Sequence, residues 1–179
     1  MLLWERDMRF ETRIGGPPLV DEHAARLVAG MVALLAGAVL LFDLPWLLAF
    51  LAYEFGARVF AGRRLSAMGQ LAARVLAPAL GLTPRWTPAP PKRFAQAIGL
   101  IVSSTSLVTW MLLGFAQLGQ TLAAVLAVFA ALEAAVGFCA GCLIFRQLMR
   151  LGWIPQEVCA ECRVVPAVSP DRLGSQPQA

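Results

Sequence analysis

The most constraining feature of this chain is a set of apolar runs long enough to cross a lipid bilayer. A spanning helix needs about 20 residues, or about 17 at the short end. Leu27–Phe42 is a run of sixteen residues without a charge, ending at Asp43. Ala24 and Ala25 lengthen it if Arg26 snorkels to the interface, giving a first span over 24–42. Asp43-Leu44-Pro45 reads as the cap and first turn of a second span over 44–62. That span carries Glu54 and Arg58, which can pair at i, i+4. The third span, 94–114, carries Gln96, Gly99, Ser103 and Ser106 along one side, a stripe suited to close packing in lipid. The fourth, 121–145, contains one charge, Glu133, and is closed by Arg146 and Arg150.

Composition agrees with this reading. Apolar residues make up 59% of the 179 and charged residues 15%, where a soluble domain carries about a quarter charged. An ordinary soluble enzyme and a disordered tail are both excluded. Net charge is +4, spread along the chain without a basic patch, so no nucleic-acid partner is expected. Met1–Val20 is dotted with charges and lacks the apolar centre of a cleavable signal.

Between the second and third spans, Leu65, Met68, Leu71, Ala72, Val75, Leu76, Ala79 and Leu80 recur at helical spacing. Ser66, Gln70 and Arg74 share another face, so 65–80 reads as an amphipathic interfacial helix, kinked or ended by Pro78. Gly81–Pro91, rich in proline, reads as an extended connector. The expected fold is all-α and polytopic. A cytoplasmic arm (1–23) precedes a four-helix membrane domain (24–150), and a cysteine-containing tail (151–179) follows. The two tight hairpins lack Lys and Arg, while the stretches up to Arg26, from Arg58 to Arg93 and from Arg146 onward hold all fifteen. Those three segments, and hence both termini, are expected in the cytoplasm. Trp46, Trp86, Trp110 and Trp153 fall near span ends, as interface anchors do. His23 is assigned no role.

No single motif names a reaction. The chemical clue is the cysteines, which form two Cys-x-x-Cys pairs, Cys139/Cys142 and Cys159/Cys162. In a continuous fourth helix the first pair lies on one face of the inner half. Three readings compete. Cysteine can be a small apolar filler. The four sulfurs can form a thiolate site with zinc as the candidate metal, the spacing between pairs fitting such sites. Or the pairs can exchange dithiol for disulfide, the thiolate attacking. Redox exchange is ranked first, metal second and filler third. The tail pair, polar and beside Arg163, is expected to meet a soluble partner first. Cys139 and Cys142 are expected to be shielded in apolar helix with raised pKa. Glu133 is expected near the membrane centre, neutral or paired with a group such as Arg58. Gly137 and Gly141 are read as a close-packing face.

Val20-Asp21-Glu22, Pro91-Lys92-Arg93-Phe94-Ala95-Gln96 and Gly137-Phe138-Cys139-Ala140-Gly141-Cys142 resemble the markers of a bacterial membrane family described only as a domain of unknown function. The resemblance covers Val20 to Arg150 and implies a four-helix fold, multi-pass in the bacterial inner membrane. It also implies a neighbourhood of thioredoxin-like and rhodanese-like sulfur-transfer proteins, one of which would be the cytoplasmic partner. Cys159 and Cys162 lie beyond it. The expectation is therefore a membrane thiol-redox or sulfur-relay component using Cys139, Cys142, Cys159 and Cys162. The alternative is a non-catalytic subunit or assembly factor, in a membrane complex or homo-oligomer, with the four cysteines on zinc or inert.

Overall fold

The computed structural model describes residues 19–61 and 65–153. β1 (Leu19–Asp21) runs directly into α1 (Glu22–Phe42). Asp21 is extended and its carboxylate accepts from the His23 N–H at 3.0 Å, satisfying one of the helix's free donors. α1 ends at Asp43, whose backbone is left-handed (φ 51°) and whose N–H closes on the Val39 carbonyl. Asp43 therefore terminates the first helix and does not cap the second. A turn over 44–46 contains Pro45 ahead of the helix, where its missing donor is harmless, and α2 (Leu47–Phe60) follows.

α3 (Ala67–Ala79) matches the amphipathic helix expected at 65–80. Its middle, Ala72–Leu76, widens to i→i+5 hydrogen bonding. Pro78 explains this: in a regular helix its ring would crowd the Arg74 carbonyl. β2 (Trp86–Pro88) then pairs antiparallel with β1 in the register Leu19–Pro88, Val20–Thr87, Asp21–Trp86. The extended connector thus stops at Pro88. Pro90 and Pro91 fall in the first turn of α4 (Ala89–Leu107), where proline fits, and α4 continues through a wider turn to Leu112. α5 (Ala116–Val136) and α6 (Ala140–Arg150) complete the fold.

Among the described residues, three helices, Glu22–Phe42, Ala89–Leu112 and Ala116–Val136, are long and apolar enough to cross a membrane. α2 has 14 residues, about 21 Å of helix against a hydrocarbon core of about 30 Å. The expected second span is thus shorter than 44–62. The expected fourth span, 121–145, is not one helix: it starts earlier, stops at Val136 and is broken before α6.

α1 packs chiefly on α5, and α2 on α4. The core joins Val32, Ala36 and Val39 of α1 with Leu48, Leu51 and Phe55 of α2, Met68 of α3 and Leu126 of α5. The small-residue stripe of α4 works as its spacing implied. A Cβ on Gly99 would meet the Phe55 ring at 2.5–2.8 Å, so glycine is what lets α2 approach, and Ser103 and Ser106 are fully buried. Outward faces carry exposed Leu34, Leu41, Ile101, Leu112 and Val128, an apolar surface that suits lipid.

The helix order defines two ends. Pairing of β1 with β2 puts the starts of α1 and α4 together. At the other end, Gln120 donates to the Asp43 carboxylate at 3.1 Å, joining the α1–α2 and α4–α5 turns. α5 returns to the first end, where α6 begins.

Candidate functional site

The break between α5 and α6 builds the site. Gly137 takes a left-handed backbone (φ 72°), donates to the Glu133 carbonyl at 3.0 Å and stops α5. The carbonyls of that last turn then need donors. Arg26 of α1 supplies them: Nε and an Nη donate to the Ala134 carbonyl at 3.2 and 3.1 Å, and an Nη donates to Ala135 at 2.6 Å. Its positive charge also faces the negative end of the α5 dipole. Arg26 does not merely snorkel; it caps another helix.

Cys139 follows the break, extended (φ −100°, ψ 102°), as the N-cap of α6. Its sulfur accepts from the Cys142 N–H at 3.4 Å and from the Cys142 thiol at 2.6 Å. Both residues are half-buried and free. The two sulfurs therefore do meet on one helix face, but at the first turn of a short helix and not within a membrane span. This changes their chemistry. The Cys139 pKa is lowered, chiefly because the Cys142 thiol donates to its sulfur, with the Cys142 backbone N–H adding to this; burial and Glu133 oppose it. Cys142 is raised, because it is that donor and because it is buried. The expectation of two raised thiols holds for Cys142 and fails for Cys139.

α6 is held in place by α4. Phe145 is buried, with its ring centroid 5.6 Å from that of Phe94. Gly141 lies against the α4 backbone: a Cβ there would be 2.5 Å from Ala95 Cα and Cβ. Gly137 and Gly141 are thus not one packing face. The first turns the chain and the second lets two helices touch.

The three sequence segments singled out above converge at this end. Asp21 also accepts from the Arg85 N–H at 3.2 Å, and Glu22 pairs with Arg85 at 3.2 Å. Lys92 pairs with Glu133 at 3.8 Å. Glu133 is in the last turn of α5, at the end of the bundle and not at the membrane centre, and its nearest cation is Lys92.

Glu54 and Arg58 do form an ion pair, at 3.6 Å, but Glu54 has a second role. Its carboxylate accepts from Ser66 Oγ (2.6 Å) and the N–H groups of Ala67 (2.9 Å) and Met68 (3.3 Å), so it caps α3 from outside. Arg58 is 5% exposed and has no hydrogen-bond partner on any guanidinium nitrogen among the described residues; it lies over the Phe55 ring at 4.8 Å. Arg58, Lys92, Glu133 and Cys139 all line one cavity of about 1290 Å³, with mostly apolar walls that include Val28, Val32 and Phe129. Sequence reasoning missed Lys92, the Arg26 cap and the cavity. The presence of Arg26 and Lys92 beside apolar runs was the available signal; their partners lie too far along the chain to be read.

Cys159 and Cys162 lie outside the described residues. Among the described residues, no group of three or more His, Cys, Asp or Glu side chains is arranged to hold a metal ion. No curated protein and no solved structure matches the chain. One family model, described as Domain of unknown function (DUF4395), matches residues 20–150.

Proposed function

The chain belongs to the DUF4395 family, and on that footing we propose that it is a membrane thiol–disulfide exchange component whose working pair is Cys139 and Cys142. One observation carries this reading: Cys139 caps α6 with its sulfur 2.6 Å from that of Cys142. A helix N-terminus and a donating thiol favour the Cys139 thiolate, the attacking form. Its partner one turn on is placed to resolve the adduct. In the exchange, the Cys139 thiolate attacks a partner disulfide, forming a mixed disulfide and releasing one partner thiolate. Cys142, losing its proton, then attacks Cys139 Sγ, forming the internal disulfide and releasing the second partner thiolate. Two thiols are oxidised and one disulfide is reduced.

Topology supports a cytoplasmic partner of thioredoxin-like or rhodanese-like type. Arg26, Arg85, Lys92, Arg93, Arg146 and Arg150 belong to the end where β1 and β2 pair, and the turns at the opposite end lack Lys and Arg. By the positive-inside rule the thiol end faces the cytoplasm, here that of a bacterial inner membrane, with both termini inside. α2 acts as a short fourth crossing, because the β1–β2 pairing returns the chain to its starting side before α4. This order departs from the expectation that Cys159 and Cys162 meet the partner first; in this reading the tail dithiol re-reduces the Cys139–Cys142 disulfide by the same exchange and is itself oxidised to a disulfide.

The test uses purified protein in detergent with Cys159→Ser and Cys162→Ser. Oxidised thioredoxin should remove two alkylatable thiols, and Cys142→Ser should trap thioredoxin on Cys139. Absence of any Cys139 adduct overturns the proposal. One zinc per wild-type chain, lost in Cys159→Ser, would instead favour the four-cysteine metal site of a non-catalytic subunit.

A further inference from the structure

Arg58 is the group that the exchange reaction does not use. It is 95% buried by its 5% exposure, it lines the cavity that Cys139 also lines, and none of its nitrogens has a hydrogen-bond partner among the described residues. Its ion pair with Glu54 is 3.6 Å long, and the Glu54 oxygens are occupied by the α3 N-terminus. A buried guanidinium with idle donors is costly unless an acceptor comes to it. The cavity therefore suits a molecule with an acceptor oxygen.

The walls define the rest of that molecule. Lys92 is paired with Glu133 and Arg58 with Glu54, while Asp21, Arg74 and Arg93 also line the cavity, so the wall keeps a small positive excess that favours an acceptor oxygen. The remaining lining is largely aliphatic and aromatic, including Val28, Val32, Phe55 and Phe129. A volume of about 1290 Å³ is above the usual range for small-molecule sites, roughly 300–1,000 Å³, and leaves room for a ring with an apolar tail. The occupant is mostly apolar, lipid-soluble and carries an acceptor. To serve a dithiol it must also take two electrons.

Resting on the thiol-exchange reading above, we propose that the cavity binds a membrane quinone, with a ring carbonyl accepting from Arg58, and that the Cys139–Cys142 dithiol reduces it. The Cys139 thiolate adds to a ring carbon. Cys142 attacks Cys139 Sγ, forming the S–S bond, breaking the S–C bond and releasing the hydroquinone. Two electrons pass from the sulfurs to the ring, and the two thiol protons end on its oxygens. Arg58 faces the oxygen on which negative charge develops, where a preorganised donor is most effective.

The experiment uses full-length protein with Cys159→Ser and Cys162→Ser, reduced, in detergent, with decylubiquinone as probe. Quinone reduction is read by absorbance and thiol loss by alkylation, and each variant's rate is divided by its own rate with diamide. The wild-type pair should reduce one quinone per two thiols lost. Arg58→Met, and separately Ala130→Phe, which puts a ring into the cavity lining and leaves every charged residue in place, should lower the ratio at least about tenfold. If Arg58→Met does not fold, Ala130→Phe carries the test. Equal ratios in all three proteins overturn the proposal by placing the reaction outside the cavity. Oxidation by diamide and thioredoxin but not by quinone overturns it and leaves the exchange reading standing. Failure of every oxidant to form the Cys139–Cys142 disulfide removes the exchange reading itself.

Discussion

Replacing Gly141 by alanine should loosen the thiol site without altering a single reactive atom. The new Cβ would lie 2.5 Å from both Ala95 Cα and Ala95 Cβ, and 3.3 Å from Ala95 N. Ordinary contact between such carbons begins at about 3.5–4.0 Å. The overlap is thus about 1 Å, and it is with backbone and a methyl that has no rotamer to change. α6 must move off α4 by roughly that amount. Overpacking of this kind costs about 1–3 kcal/mol. On the scale of soluble domains of this size, that lowers Tm by about 2–4 °C per kcal/mol. The displacement also weakens the Phe94–Phe145 contact, which is on the same helix pair. The assay is thermal unfolding in detergent, alongside the rate at which Cys139 reacts with a charged maleimide. The expected result is a lower Tm together with a changed Cys139 rate, and Gly141→Ser should behave the same way. An unchanged Tm with an unchanged rate would refute the claim that glycine between the two cysteines exists to seat α6 on α4.

Three further outcomes follow from the same geometry. Gly137→Ala puts a Cβ on a left-handed residue at about 1–2 kcal/mol and removes the stop signal of α5. Unfolding and Cys139 alkylation should both shift, whereas Gly137→Asn, tolerant of this backbone, should shift them less. Because the Cys139 pKa is lowered, its alkylation rate should rise with pH through a midpoint below the usual value of about 8.5. Cys142→Ala, which removes the thiol donor, should move that midpoint upward; a downward shift or none would contradict the assignment. Glu54→Leu strips α3 of its cap and leaves Arg58 buried without its counter-charge, a loss of about 3–5 kcal/mol. Adding Arg58→Met should recover part of it, and strictly additive losses in that double-mutant cycle would show the two are not coupled.

The parts of this fold that were legible in the sequence are those decided within one turn or one run. Uncharged runs marked α1, α4 and α5, and period 3.6 marked α3. The break at Gly137 was not legible, since residues 121–145 are apolar almost throughout and one glycine inside such a helix is usually tolerated. What fixes the break lies elsewhere: Arg26 accepts responsibility for the orphaned carbonyls, and α4 holds α6 by Ala95 and Phe94. Asp43 misled for a related reason, because aspartate serves as an N-cap and also tolerates the left-handed region. At the site, the paired sulfurs were evident from their spacing. Their unequal acidity was not, because it depends on which cysteine begins the helix.

The link between Arg26 and the carbonyls of α5 also sets a timetable. Donor and acceptor are 108 residues apart along the chain. At a synthesis rate of about 5–20 residues per second, α1 waits roughly 5–20 s for the helix end it will cap. During that interval the guanidinium has only local partners, water and the Glu22 carboxylate one turn before it on the same helix. Docking of α5 then offers Arg26 three fixed hydrogen bonds. The tie between the first helix and the fifth therefore forms only once the chain has reached Gly137, the turn that also lays Cys139 at the head of α6.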